Sequence, residues 1–160
     1  MTTGLIRIAM TLATAVVLAV PGVVASAPPA HAMNFGNYLL HMPDRRDFHT
    51  YIWSLVRPCR TPDNIKRHDC IDAQIVPQPI AKAIYVKSPA ELVDGRYTMV
   101  IDDPFGLRCG DIYYGPTIPT HDVYTWDAHT LAGEMVSSFD AGCDGAPGGQ
   151  LTFPFFLTRM

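Results

Sequence analysis

Residues 151–158 read Leu-Thr-Phe-Pro-Phe-Phe-Leu-Thr. Leu151, Phe153, Phe155 and Leu157 take every second position, against Thr152, Pro154, Phe156 and Thr158. A strand puts residues two apart on one face, and a helix cannot. The run therefore specifies an extended strand with an apolar face. Upstream, 124–127 reads as another strand, Ala128-His129-Thr130 as a turn, and 131–139 as the return. A loop of small residues, 143–149, joins that return to the last strand. The last third of the chain is thus an antiparallel unit closed near a cysteine.

The same pattern recurs upstream. Residues 35–42 read as a first strand. In 49–57, Tyr51, Trp53 and Leu55 alternate with Ile52, Ser54 and Val56, and β-branched and aromatic residues fill the segment. Ile71, Ala73 and Ile75 alternate with Asp72 and Gln74, a half-exposed strand that Pro77 and Pro79 end. Residues 59–70 between two cysteines read as a solvated loop. Residues 80–87 read as a strand interrupted by Ser88-Pro89. Asp94-Gly95 between apolar runs is a hairpin signal, because a two-residue turn requires positive φ. Asp103-Pro104-Phe105-Gly106 has the residue order of a type I turn, with 107–114 returning. Gly115-Pro116 and Pro119 mark a further loop. No helical period exceeds about two turns. Asp accounts for thirteen of fifteen acidic residues and lysine for three positions, a composition of turns and strands more than of surface helices. The expected fold is all-β: one antiparallel domain of eight to ten short strands, a small barrel or a sandwich.

The first 32 residues stand outside that domain. Arg7 precedes an apolar run over 8–20, Pro21-Gly22 breaks it, and Ala30-His31-Ala32 offers a small-x-small cleavage site. These are the three parts of a secretory signal. The run is too short for a spanning helix of about 20 residues. The expected organisation is a signal peptide over 1–32 and a single β domain over 33–160, beginning at Met33, outside the cytoplasm or in the cell envelope, with no stable membrane anchor. The domain carries eleven basic and fifteen acidic side chains, a formal charge of −4. That argues against nucleic acid as a partner and against a polybasic grip on membranes.

Four cysteines, Cys59, Cys70, Cys109 and Cys143, all lie in the β domain. An even number in a secreted chain reads as two disulfides. A four-cysteine zinc site would want close pairs, and none is present. Four cysteines allow three pairings. The expected one is Cys59–Cys70, clamping one connection between strands, with Cys109–Cys143 formed if strands 107–114 and 131–139 approach each other.

Trp53-x5-Cys59, Cys70 entering a strand, Leu107-Arg108-Cys109-Gly110-Asp111, Tyr124-Thr125-Trp126-Asp127-x2-Thr130-Leu131-x-Gly133, Cys143-Asp144-Gly145-Ala146-Pro147-Gly148 and Phe155-x-Leu157-Thr158 occur in that order. Together they resemble small secreted actinobacterial proteins, chiefly mycobacterial. The resemblance covers nearly all of the β domain. It implies a disulfide-stapled β domain outside the cytoplasm and implies no activity.

Chemistry-bearing constellations are sparse. Paired cysteines are not reactive thiolates. Ser54, Ser88, Ser137 and Ser138 lie in no G-x-S-x-G elbow. Asp102 and Asp103 are neighbours in a strand pattern and point to opposite faces. Asp140, Gly142, Asp144 and Gly148 lack the ligand density of a calcium loop and read as turn chemistry. His41 and His49 could meet across a hairpin, but exposed strand histidines are more often plain surface residues. His121 and His129 flank the Trp126 strand. No catalytic residue, metal site or cofactor is expected. Trp53, Trp126, Phe153 and Phe155 are expected to fill the core, although a small barrel can also hold an apolar ligand. The expected function is a non-enzymatic surface interaction with an unknown protein. The alternatives are a carrier of a small apolar ligand and a hydrolase without a recognisable motif, which a cleft uniting a His and an Asp would revive.

Overall fold

The computed structural model describes residues 33–45, 49–110 and 112–160. The expected signal peptide lies outside the described residues. Eight strands follow in order: β1 (Gly36–His41), β2 (Thr50–Arg60), β3 (Lys66–Gln78), β4 (Val86–Val93), β5 (Arg96–Arg108), β6 (Thr117–Asp127), β7 (Ala132–Ala141) and β8 (Pro147–Arg159). Each pairs antiparallel with the next, and β8 pairs with β1, so the sheet closes into a barrel. The choice left open between sandwich and barrel falls to the barrel. Closure removes the free outer edges of a sheet. The two disulfides are Cys59–Cys70 and Cys109–Cys143.

The turns follow local chemistry. Val93 pairs with Arg96 around Asp94 and Gly95, whose φ values are 48° and 78°. This is the two-residue hairpin read from the sequence. At the β6–β7 turn, Asp127 Oδ1 accepts from the backbone N–H groups of His129 and Thr130 at 2.9 and 2.8 Å. Those two donors hold the Asp127 carboxyl below the usual carboxylate range.

Several boundaries differ from the sequence reading, each for a physical reason. The segment 59–70 is mostly ladder, since β2 and β3 extend through both cysteines and leave only 61–65 as a turn. Pro77 lies within β3, which ends at Gln78. Residues 79–85 form a loop, and Ser88-Pro89 lies inside β4. Pro89 pairs with Asp72 on the β3 side, while β4–β5 pairing starts at Ala90↔Met99. The missing proline N–H therefore falls on the β5 side, where Ser88 Oγ donates instead to the Val100 carbonyl at 2.8 Å. Residues 104–106 do not reverse the chain. Pairing jumps from Asp103↔Thr120 to Leu107↔Ile118, so three residues oppose Pro119 alone in a bulge. Asp103 Oδ1 accepts from the Phe105 N–H at 2.8 Å and sets that local turn. Beyond Arg108, residues 109–110 and 112–116 lie outside the strands.

The last strand also departs from simple alternation. Phe155 and Leu157 are buried, Phe153 is half-buried against the core, and Leu151 is exposed. β8 pairs with β1 only over Phe156–Arg159, so its first half projects past the end of β1. Pro154 lies beyond the last β1 rung, at a locally open edge that requires no donor.

The barrel has two unlike ends. Turns 61–65, 94–95 and 128–131 lie at one, the hairpin end. Residues 42–45 and 49, 79–85, 109–110 and 112–116, and 142–146 lie at the other, the loop end. The interior changes character between them. Inward along β6 come Trp126, Tyr124, Asp122 and Thr120, and along β5 Tyr97, Met99, Ile101 and Asp103, all buried. Aromatics fill the hairpin half, and polar groups occupy the loop half.

Candidate functional site

The hairpin end is sealed. Trp53 and Trp126 are fully buried, with ring centroids 5.2 Å apart in an edge-on arrangement, and Tyr97 stacks on Trp126 at 5.2 Å. Phe155 closes on Trp53 at 5.7 Å. Met33 covers this cluster, its N–H donating to Tyr97 Oη at 3.3 Å. An eight-stranded barrel is just wide enough for side chains to fill it.

The loop half holds a buried polar group that the sequence reading missed. Ser137 Oγ donates to Asp122 Oδ1 at 2.6 Å, with both residues buried. Arg45 enters from the β1–β2 loop. It donates to the Gly106 carbonyl, approaches Met135 Sδ at 3.7 Å and hydrogen-bonds Tyr124. Burial pushes the Tyr124 phenol well above its ordinary range; Arg45 pulls it down, while Asp122 and Asp103 push it further up. The space enclosed among Arg45, Tyr51, Asp103, Asp122 and Tyr124 is about 10 Å³, room for about one water. A larger recess of about 130 Å³ above it is lined by Leu40, Met42, Arg45, His49 and Tyr51. The alternation Thr120, Asp122, Tyr124, Trp126 was the available signal, since it places an aspartate on the tryptophan face.

Three loops are knitted together over this interior. His49 Nε2 lies 2.7 Å from the Ala81 carbonyl, and His49 Nδ1 lies 2.9 Å from Arg108 Nη2. A carbonyl can only accept and a guanidinium can only donate, so in these two contacts Nε2 is the donor and Nδ1 the acceptor. Arg108 also donates to the carbonyls of Tyr113 at 2.8 Å and Lys82 at 3.1 Å, and Tyr113 Oη donates to the Ala81 carbonyl at 3.2 Å. The Cys109–Cys143 bridge fastens the β5–β6 loop to the β7–β8 turn. On this frame Ile80, Ile112 and Tyr114 stand 66%, 69% and 70% exposed.

The other sequence candidates disperse. His41 stacks on Phe156 at 4.6 Å and meets Thr158 Oγ1 at 2.7 Å, away from the His49 network. His129 lies in the β6–β7 turn. Asp144 sits in the 3-10 turn Cys143–Gly145 with φ 56°. No cluster of three or more His, Cys, Asp or Glu side chains able to hold a metal occurs among the described residues. A histidine and an aspartate do meet on the outer face, the feature that would favour the hydrolase alternative. Asp102, His121 and Ser138 lie in one row across β5, β6 and β7. His121 Nδ1 meets Asp102 Oδ1 at 2.7 Å. Ser138 Oγ, however, donates to the His121 carbonyl at 3.2 Å. The hydroxyl is thus engaged with backbone and not aligned on the imidazole as an activated nucleophile requires.

Fold and site together define a disulfide-stapled, eight-stranded antiparallel barrel with an aromatic plug at one end and a hydrogen-bonded, partly apolar loop surface at the other. The chain matches no protein-family model, no curated protein and no solved structure.

Proposed function

We propose that the protein is a secreted or envelope-associated, non-enzymatic barrel that binds a protein partner through its loop end. The observation that carries this reading is the trio Ile80, Ile112 and Tyr114, held out on a hydrogen-bonded and disulfide-bonded frame. Exposed apolar side chains grouped on one surface are characteristic of interaction sites. The apolar run before Met33, two formed disulfides and the likeness to small secreted actinobacterial proteins support an oxidising compartment. Among the described residues no helix is long and apolar enough to cross a membrane.

The carrier reading draws less support. Its ligand would need space now taken by Trp53, Trp126 and Phe155, and the enclosed void holds about one water. A photo-crosslinking residue at position 114 tests the main reading, with position 65 as control. Ile65 is 64% exposed at the opposite end. A discrete adduct from 114 in the secreting host, absent from 65, is the expected result. Identical adducts from both positions, or none from 114, would remove the loop end as the interaction surface.

A further inference from the structure

The barrel wall has a window between β6 and β7. Rungs join these strands from Trp126↔Gly133 to His121↔Ser138 and then stop. β6 nevertheless continues to Thr117, and β7 to Ala141. No rung links 117–120 to 139–141, so two strand edges with unpaired backbone groups face each other across a cleft. The cleft measures about 430 Å³. The His121↔Ser138 rung bounds it at one end and the Cys109–Cys143 bridge spans the other.

Its lining comes from both faces of the sheet. Asp102, Pro119, His121 and Asp140 have outward parity, whereas Ile118, Thr120, Phe139 and Ala141 have inward parity. Residues of both parities therefore border the cleft. Its outer lip is acidic and its inner part is apolar. His121 engages one oxygen of Asp102, which remains 86% exposed. Thr120 is 5% exposed, and its unpartnered hydroxyl packs against Gly106 on the β5 side, where an added Cβ would lie 1.7 Å from it, so it faces away from the cleft.

We infer that this window is a binding site for a small amphiphilic ammonium: an aliphatic or aromatic chain seated between Ile118 and Phe139, with a primary ammonium at Asp102 and Asp140. An unblocked peptide N-terminus bearing an apolar side chain has this chemistry. The apolar chain leaves water on the apolar lining, the ammonium stays at the solvated rim that Asp102 and Asp140 make acidic, and unpaired strand carbonyls supply acceptors. The site is independent of the loop-end reading, because Ile80, Ile112 and Tyr114 do not line it.

The test is a titration of the ¹⁵N-labelled 33–160 domain, followed by amide chemical shifts. Leucine amide carries both features, N-acetylleucine amide lacks the charge, and glycinamide lacks the chain. Saturable shifts at Ile118, Thr120, His121, Phe139 and Asp140 with leucine amide, and much weaker ones with either control, are expected. D102N and D140N should each weaken binding about three- to fivefold, as for exposed ion pairs, and Tyr114→Ser should leave it unchanged. Both carboxylates are on the surface, so unperturbed shifts elsewhere verify the fold. No saturable shift at the window, an equal response to N-acetylleucine amide, or full affinity in the D102N/D140N double variant overturns the assignment.

Discussion

Trp126 Nε1 donates to Met33 Sδ at 3.3 Å in the sealed end of the barrel, joining residues 93 positions apart. Met33 thus caps a fully buried aromatic. Met33→Ala should cost about 2–4 kcal/mol, from the cavity and from an indole N–H left without its acceptor. Met33→Leu should cost less, about 1 kcal/mol, because only the acceptor is lost. Denaturant unfolding of the 33–160 chain decides. An unchanged midpoint for Met33→Ala would show that the cap contributes nothing.

Ser137 and Thr120 should respond with opposite sign although both are buried hydroxyls. Ser137→Ala strips Asp122 of a 2.6 Å donor inside the barrel and should destabilise by about 1–3 kcal/mol. Thr120→Val removes a hydroxyl that has no partner and should be neutral or stabilising. Thermal melts of the two variants, side by side, give the comparison. Equal losses from both would mean that the Thr120 hydroxyl has a partner in solution.

Burial raises the pKa of Tyr38, Tyr97 and Tyr124. A raised folded-state pKa favours the protonated form in the fold. The stabilisation is therefore complete below the unfolded value of about 10 and is lost as pH rises through the folded values. Phenolate absorbance during an alkaline titration should show these three tyrosines ionising late, together with loss of near-ultraviolet circular dichroism. Ionisation of all seven tyrosines before any loss of structure would contradict the burial of these three.

Gly133 faces Trp126 across the β6–β7 ladder, and an added Cβ would lie 2.0 Å from the Thr125 carbonyl oxygen and 2.6 Å from Trp126 Cβ. Close approach, not an unusual φ, demands glycine here. Gly133→Ala should cost about 1–3 kcal/mol by overpacking. Urea midpoints, with Gly145→Ala as a comparison that meets nothing within 4 Å but has positive φ, would separate steric from conformational cost.

The two bridges should contribute unequally. They close loops of 11 and 34 residues of separation, for which chain entropy gives about 3 and about 4 kcal/mol. Against a total of roughly 5–15 kcal/mol for such a domain, the Cys109→Ser/Cys143→Ser variant should be the less stable of the two double variants. Its amide exchange should rise first in 109–116 and 142–146. Faster exchange confined to 61–65 in that variant would show that the second bridge does not hold the loop end.

Sequence by itself determined the strands, because period-2 alternation and turn chemistry are local. Asp94-Gly95 forms its hairpin from positive φ at adjacent residues, and Trp53 and Leu55 declare an inward face without reference to any partner. Even cysteine number was enough to expect two bridges. Closure was not legible, since a β1–β8 pairing depends on accumulated twist and stagger and on no single segment. Nor were Ser88-Pro89 inside a strand or Asp103–Gly106 as a bulge. In both, a neighbouring strand supplied or excused the hydrogen bonds that the local sequence lacked. Tertiary structure alone converted Asp122 from one aspartate among thirteen into a buried acceptor for Ser137. It also made the cleft between β6 and β7, because a gap in pairing belongs to two strands at once and is written in neither.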